Sequence, residues 1–177
     1  FPGIANGDER RYALQHLSAM LGSGMSSRLW QEVREKRGLC YSVYSYAVGH
    51  AETGHFGAYT AVSPEMEEEA LTTLCRTVAD FAEHGVTEQE LARAREQAEA
   101  SVLLSLESTQ SHMSALGRGE LLHGHVASVE EVLQGYEAVT PETVRDLAQD
   151  LFRFDRASLS AVGRVQPEEA YRAMLLG

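Results

Sequence analysis

Strand-forming sequence is confined mainly to two adjacent runs near the front of the chain, and this placement constrains the fold more than any other feature. Tyr41, Val43 and Tyr44 through Val48 form the first run. His55 through Val62 form the second, with Phe56, Ala58, Thr60 and Val62 on alternate positions. Aromatic and β-branched residues at that spacing suit a half-buried strand, and Gly49 to Gly54 between them suit a hairpin loop. The rest reads mostly as helix. Ala13, Leu14, Leu17, Met20 and Leu21 recur at helical spacing after Asn6-Gly7-Asp8, where Asp8 is placed to cap. Gly22 and Gly24 close that helix. A shorter one follows, capped by Ser26 or Ser27, with Leu29, Trp30 and Val33 as its buried face and Gly38 as its stop.

Beyond the hairpin, Pro64 opens a helix that buries Leu71, Leu74, Val78 and Phe81 and closes at Gly85. Thr87-x-x-Glu90 and Ser128-x-x-Glu131 are capping-box signatures, and Thr140-x-x-Thr143 starts another helix in the same way. Leu91, Ala94, Ala98 and Val102 make the apolar stripe after Thr87, and a further helix is expected over residues 109–122. Ala157 through Val165 reads as a last strand, followed by a short helix from Pro167. Grouped rather than alternating elements predict an α+β fold, an antiparallel-rich sheet packed with several helices, over a single domain of residues 1–177.

The 26 acidic residues outnumber the 15 basic ones, for a net charge of −11. This disfavours nucleic acid and anionic membranes as partners, both of which need a basic face. No apolar run is long enough to suggest a membrane span. Cys40 and Cys75 are too few for a disulfide framework or a four-cysteine zinc site, and they fit a cytoplasmic location. The seven histidines form neither HExxH nor HxxEH. The nearest approach is Asp80-x-x-Glu83-His84, with Asp where the first His would stand, and His123-Gly-His125 reads as loop. No GxSxG and no phosphate loop occur, and Gly22-Ser-Gly24 reads as a chain reversal between two helices. A nucleophile role for Cys40 or a serine has no local motif behind it. The chain starts Phe1-Pro2-Gly3 and reads as a piece of a longer protein.

One short stretch departs from this acidic background. Arg28, Arg34, Lys36 and Arg37 cluster just before Tyr41, Tyr44 and Tyr46. Arg34 falls in the last turn of the short helix and Tyr41 just past the Gly38 turn, so a reversal can bring them to one surface. Arginine offers a planar fork of donors suited to carbonyls or a carboxylate, and tyrosine offers one phenolic donor on a rigid ring. On composition alone, a helix-terminal charge and a core strand aromatic would be the better account of the pair.

The sequences Asp8-Glu-Arg-Arg-Tyr-Ala-Leu14 and Gly24-Met-Ser-Ser-Arg-Leu-Trp-Gln-Glu-Val-Arg-Glu-Lys-Arg-Gly-Leu-Cys-Tyr-Ser-Val-Tyr44 carry a resemblance to a known family. Gly54-His-Phe-Gly57, Thr87-Glu-Gln-Glu-Leu-Ala-Arg-Ala-Arg95 and Val139-Thr-Pro-Glu-Thr-Val144 extend it. Together they resemble the C-terminal half-domain of the M16 metallopeptidases, in particular the bacterial processing-peptidase-like zinc proteases, and element order fits from Gly3 to Val165. The resemblance implies an α+β half-domain that closes, clamshell fashion, with another half on an extended peptide. It implies zinc on an HxxEH-bearing N-terminal half or partner subunit and none in this chain. It also implies that Arg34 and Tyr41 hold the peptide substrate, with Arg28, Lys36 and Arg37 solvated or paired at the interface between halves. The chain alone would be inactive, and its exposed partner face would favour self-association. The alternative is a non-catalytic structural or assembly subunit of the same descent.

Overall fold

The computed structural model describes residues 1–176. Its sheet has three antiparallel strands in the order β1-β3-β2: Pro2–Gly3 (β1), Ser42–Gly49 (β2) and Gly54–Ala61 (β3). The hairpin register pairs Val43 with Thr60, Tyr44 with Tyr59 and Tyr46 with Gly57. β1 is too short to show a period in the sequence, and it was not expected there. It is held by the Phe1 amino group donating to the Phe56 carbonyl and by Phe56 N–H donating to the Phe1 carbonyl.

Period-2 alternation sets the two faces of the hairpin. Val43, Ser45 and Phe56 point inward and are buried, while Tyr44, Tyr46 and Tyr59 point outward and remain half-exposed. The inner face receives α1 (Arg11–Gly22), which buries Ala13, Leu14, Leu17, Met20 and Leu21. The α1 C-terminus meets β2 closely. A Cβ on Gly22 would lie 2.3 Å from the Ser45 backbone nitrogen, so only glycine fits. The Ser45 hydroxyl donates to the Ser18 carbonyl across the same contact.

Helices α2 (Glu67–His84), α3 (Glu88–Ser105), α4 (Thr109–His123), α5 (Val129–Glu137), α6 (Pro141–Leu151) and α7 (Glu168–Leu176) follow. The three cap signatures act as expected. The hydroxyls of Thr87, Ser128 and Thr140 accept from Glu90, Glu131 and Thr143 N–H, and each partner side chain reaches back. Phe56, Phe81, Leu17, Leu21, Leu29, Leu91 and Leu147 lie at the centre of one contiguous core. Each such side chain contributes ~1.5–3 kcal/mol relative to exposure. Phe152, at the end of α6, stacks edge-on with Phe1 at 5.3 Å and Phe56 at 5.1 Å, tying the helical half to the sheet.

Three expectations are corrected. Residues 157–165, expected as a strand, run without a ladder: Ala157 and Leu159 are half-buried and Ser158 and Ser160 exposed, but no neighbouring strand among the described residues offers hydrogen bonds. Alternation gives a strand its faces, and pairing alone makes it a strand. Asp8 does not cap α1. Its carboxylate instead accepts from Arg10 N–H and the Arg10 side chain, and α1 begins without a side-chain cap. Neither Ser26 nor Ser27 caps the second helix, since the Ser27 hydroxyl donates to the Gly24 carbonyl. Cys40 lies just before β2 and is half-buried, whereas Cys75 is buried in α2. No helix among the described residues is long and apolar enough to cross a membrane.

Helix α4 buries none of its residues. Met113, Leu116, Leu121 and Leu122 on it, with Leu103, Leu104 and Leu106 around the end of α3, leave one helical hairpin with a largely uncovered apolar surface.

Candidate functional site

The basic stretch resolves into one clamp, one surface cluster and one unpaired cation. Arg28 is drawn inside. Its guanidinium grips Glu90 in two parallel bonds of 2.9 and 3.0 Å, donates to the Gly85 carbonyl at 2.8 Å and lies 4.8 Å from the Phe81 ring centroid. It therefore binds its own helices α2 and α3, where a solvated or interface role was expected. Burial alone would raise the Glu90 carboxyl, but the hydrogen bonds from Arg28 and Thr87, with the Arg28 charge, outweigh it and hold the group at about 2. Lys36 and Arg37 both pair with Glu32 and are neutralised there.

Arg34 has no acidic partner and donates no side-chain hydrogen bond among the described residues. Its guanidinium carbon lies 4.2 Å from the Trp30 ring centroid, a cation–π contact that orients the fork without consuming its donors. The local helix explains the position. Leu29 and Val33 are fully buried, and residues Trp30–Glu35 form a π-helix in which Lys36 N–H donates to the Gln31 carbonyl, five residues back. Gly38 then adopts φ +65°, and the chain reverses. Gly38 N–H caps the Arg34 carbonyl at 2.8 Å and Leu39 N–H caps Val33 at 3.0 Å.

The reversal brings the two expected residues together. The Tyr41 ring centroid lies 6.0 Å from the Arg34 guanidinium carbon. Tyr41 N–H donates to the Ala61 carbonyl at 2.8 Å, so its backbone is fixed to the hairpin while its side chain is 83% exposed. A tyrosine that exposed is not a core aromatic. The surface thus presents a planar cation and a phenol with free donors, on a rigid corner between helix and sheet.

Other chemistry is weaker. Burial raises the Cys40 thiol above its ordinary value, opposed by Thr60 and by the Arg34 charge, so it is protonated at neutral pH and a poor nucleophile. His84 pairs with Asp80 at 3.0 Å on exposed α2, and His125 with Glu131 at 3.4 Å, each a helix-end contact. No group of three or more His, Cys, Asp or Glu among the described residues is placed to hold a metal ion. The tyrosine ladder on the outer hairpin face was not foreseen as a unit. Tyr44 stacks on Tyr59 at 4.9 Å, and the Tyr46 ring lies over Gly57. Its signal was the register that places these residues opposite one another.

Comparison with known proteins narrows the reading. Residues 1–98 match the family model described as the peptidase M16 inactive domain. The chain is 46% identical, over 97% of its length, to an "uncharacterized zinc protease" of Streptomyces coelicolor, covering 37% of that protein. It is 41% identical over 89% of its length to a protein of the same description in Bacillus subtilis, covering 38%. It thus spans under two fifths of these relatives. A solved peptidase M16 inactive domain from Pseudomonas fluorescens superposes with a TM-score of 0.77 at 28% identity, over 84% of this chain and 36% of that one. A Helicobacter pylori protease shares the fold, with a TM-score of 0.78 at 19% identity over 86% and 37% of the two chains.

Proposed function

Because the chain belongs to the peptidase M16 family, as its inactive domain, we propose that it is the substrate-holding half of a zinc peptidase. In this reading an N-terminal half or partner subunit bearing HxxEH carries the zinc, and this chain holds an extended peptide against it. The observation that carries the proposal is the free Arg34 fork beside the exposed Tyr41 phenol. Every other cation of the basic stretch is already neutralised by an acid of this chain.

The residues divide the work by chemistry. Arg34, held flat on Trp30, donates to a backbone carbonyl of the peptide. Tyr41 donates its phenolic hydrogen to the scissile carbonyl oxygen as that oxygen gains charge. A donor aimed at developing charge is worth ~10²–10³-fold in rate. The apolar α3–α4 hairpin is the surface that the other half covers, and it drives self-association when that half is missing.

The test is cleavage of a fluorogenic peptide by this chain combined with the HxxEH-bearing half. Tyr41→Phe is expected to lower kcat ~10²-fold or more, and Arg34→Ala to raise KM, with zinc content and association of the halves unchanged. Full activity in both variants would sink the assignment. Associated halves that cut nothing would favour the assembly-subunit reading instead.

A further inference from the structure

Strand β3 is paired along both edges only at its start. Two hydrogen bonds fix which residues face which edge. Phe56 N–H donates to the Phe1 carbonyl at 3.0 Å on the β1 side, and Tyr41 N–H donates to the Ala61 carbonyl at 2.8 Å on the β2 side. Backbone groups alternate between the two edges of a strand, so Gly57, Tyr59 and Ala61 face β2 while Ala58 and Thr60 face the β1 side. There β1 reaches only Gly54, His55 and Phe56. Along residues 57–61 no strand among the described residues pairs with that side. Ala58 and Thr60 are half-buried, a setting in which an unpaired backbone N–H or C=O is costly. A second unpaired stretch of backbone starts beside the same opening. Phe154 packs edge-on against Phe1 at 5.3 Å, and the strand-like run from Ala157 leaves from there. No backbone hydrogen bond ties residues 158–162 of that run to a neighbour among the described residues.

We propose that this open edge of β3 receives an extended segment from the remainder of the zinc protease, the part outside residues 1–177. The segment lies antiparallel to β3, in line with β1, and pairs with the N–H and C=O groups of Ala58 and Thr60. Strand addition of this kind takes its affinity from main-chain hydrogen bonds. The source follows from length: this chain spans under two fifths of the relatives it matches, so most of such a protein lies outside it. An edge left open would instead serve as a template for another chain, which natural sheets avoid by covering it. The proposal rests on that remainder being present, as in the function proposed above, and on no role of Arg34 or Tyr41.

The experiment is amide hydrogen exchange, followed residue by residue by NMR, on the 177-residue chain alone and in the assembled protease. Gly57 and Tyr59 donate into β2 and are expected to be protected in both samples. Ala58 and Thr60 are expected to exchange fast in the isolated chain and on the order of 100-fold more slowly in the assembled protein. Arg34→Ala with Tyr41→Phe should leave that slowing unchanged, so failure of the peptide-holding corner would not mimic failure here. Equal rates for Ala58 and Thr60 in the two samples, with association shown by sedimentation, would overturn the proposal. Protection that grows with the concentration of the isolated chain would give the edge to a second copy. Protection that appears only when peptide is added to the assembled protein would give it to substrate. Either result overturns the proposal as well.

Discussion

Replacing Glu90 by Gln removes one charge from the Arg28 clamp and little else, since glutamine can still accept from Thr87 N–H in a capping box. The structure gives the magnitude. The carboxyl sits at about 2 against an ordinary 4.5. At about 1.4 kcal/mol per pH unit that interval is worth ~3 kcal/mol, trimmed to ~2–3 by partial solvent contact. Because the folded value lies below the unfolded one, the stabilisation is complete above about pH 5 and fades as pH falls from 4.5 toward 2. Urea unfolding followed by Trp30, the single tryptophan, measures it at pH 7, 5, 4 and 3. Wild type should exceed Glu90→Gln by ~2–3 kcal/mol at pH 7, with about half the gap left at pH 3. A gap that is constant from pH 7 to pH 3 would refute the electrostatic argument. It would assign the clamp's effect to the packing of Arg28 on Phe81.

Gly22→Ala should destabilise by ~2–3 kcal/mol or more in the same unfolding assay, because the new methyl meets backbone at Ser45 rather than a movable side chain. A thiol reagent at pH 8 should modify Cys40 well before Cys75, whose thiol burial pushes up to about 11; equal rates would contradict the packing of α2. Leu104→Glu combined with Leu121→Glu should shift the isolated chain toward monomer in sedimentation. Stability should change by only ~0.5 kcal/mol, since neither leucine is buried. Unchanged sedimentation of an associated chain would place the contact elsewhere.

Caps, stops and stripes were legible in the sequence because they are local. Thr87, Ser128 and Thr140 act on N–H groups three residues away, and Gly85 and Gly38 act on the turn they close. What failed depended on distant partners. The run Ala157–Val165 has strand composition, yet no partner pairs with it among the described residues. Asp8 had a competitor for its carboxylate in Arg10. Spacing around Gly38 shows that a helix-turn-strand reversal can bring Arg34 and Tyr41 to one surface, and the resemblance to the M16 half-domain is what singles them out as a pair. The way Arg28, Lys36 and Arg37 are neutralised within this chain was not legible in the sequence. It rests on Glu90, 62 residues from Arg28, and on the way Glu32 gathers two cations at once.

The π-helix at Trp30–Glu35 can be read as a single extra residue stored in one turn. Deleting one residue there would let the segment relax to an ordinary α-helix with every backbone bond intact. Lengthening an ordinary α-turn by one residue would rotate its two sides by about 100° relative to each other, and the wide turn absorbs that rotation here. Closing the turn to α geometry with every residue kept would therefore take Leu29 or Val33 out of the core, or swing Arg34 off Trp30 and away from Tyr41. The length of this turn therefore acts as an angular setting for the guanidinium.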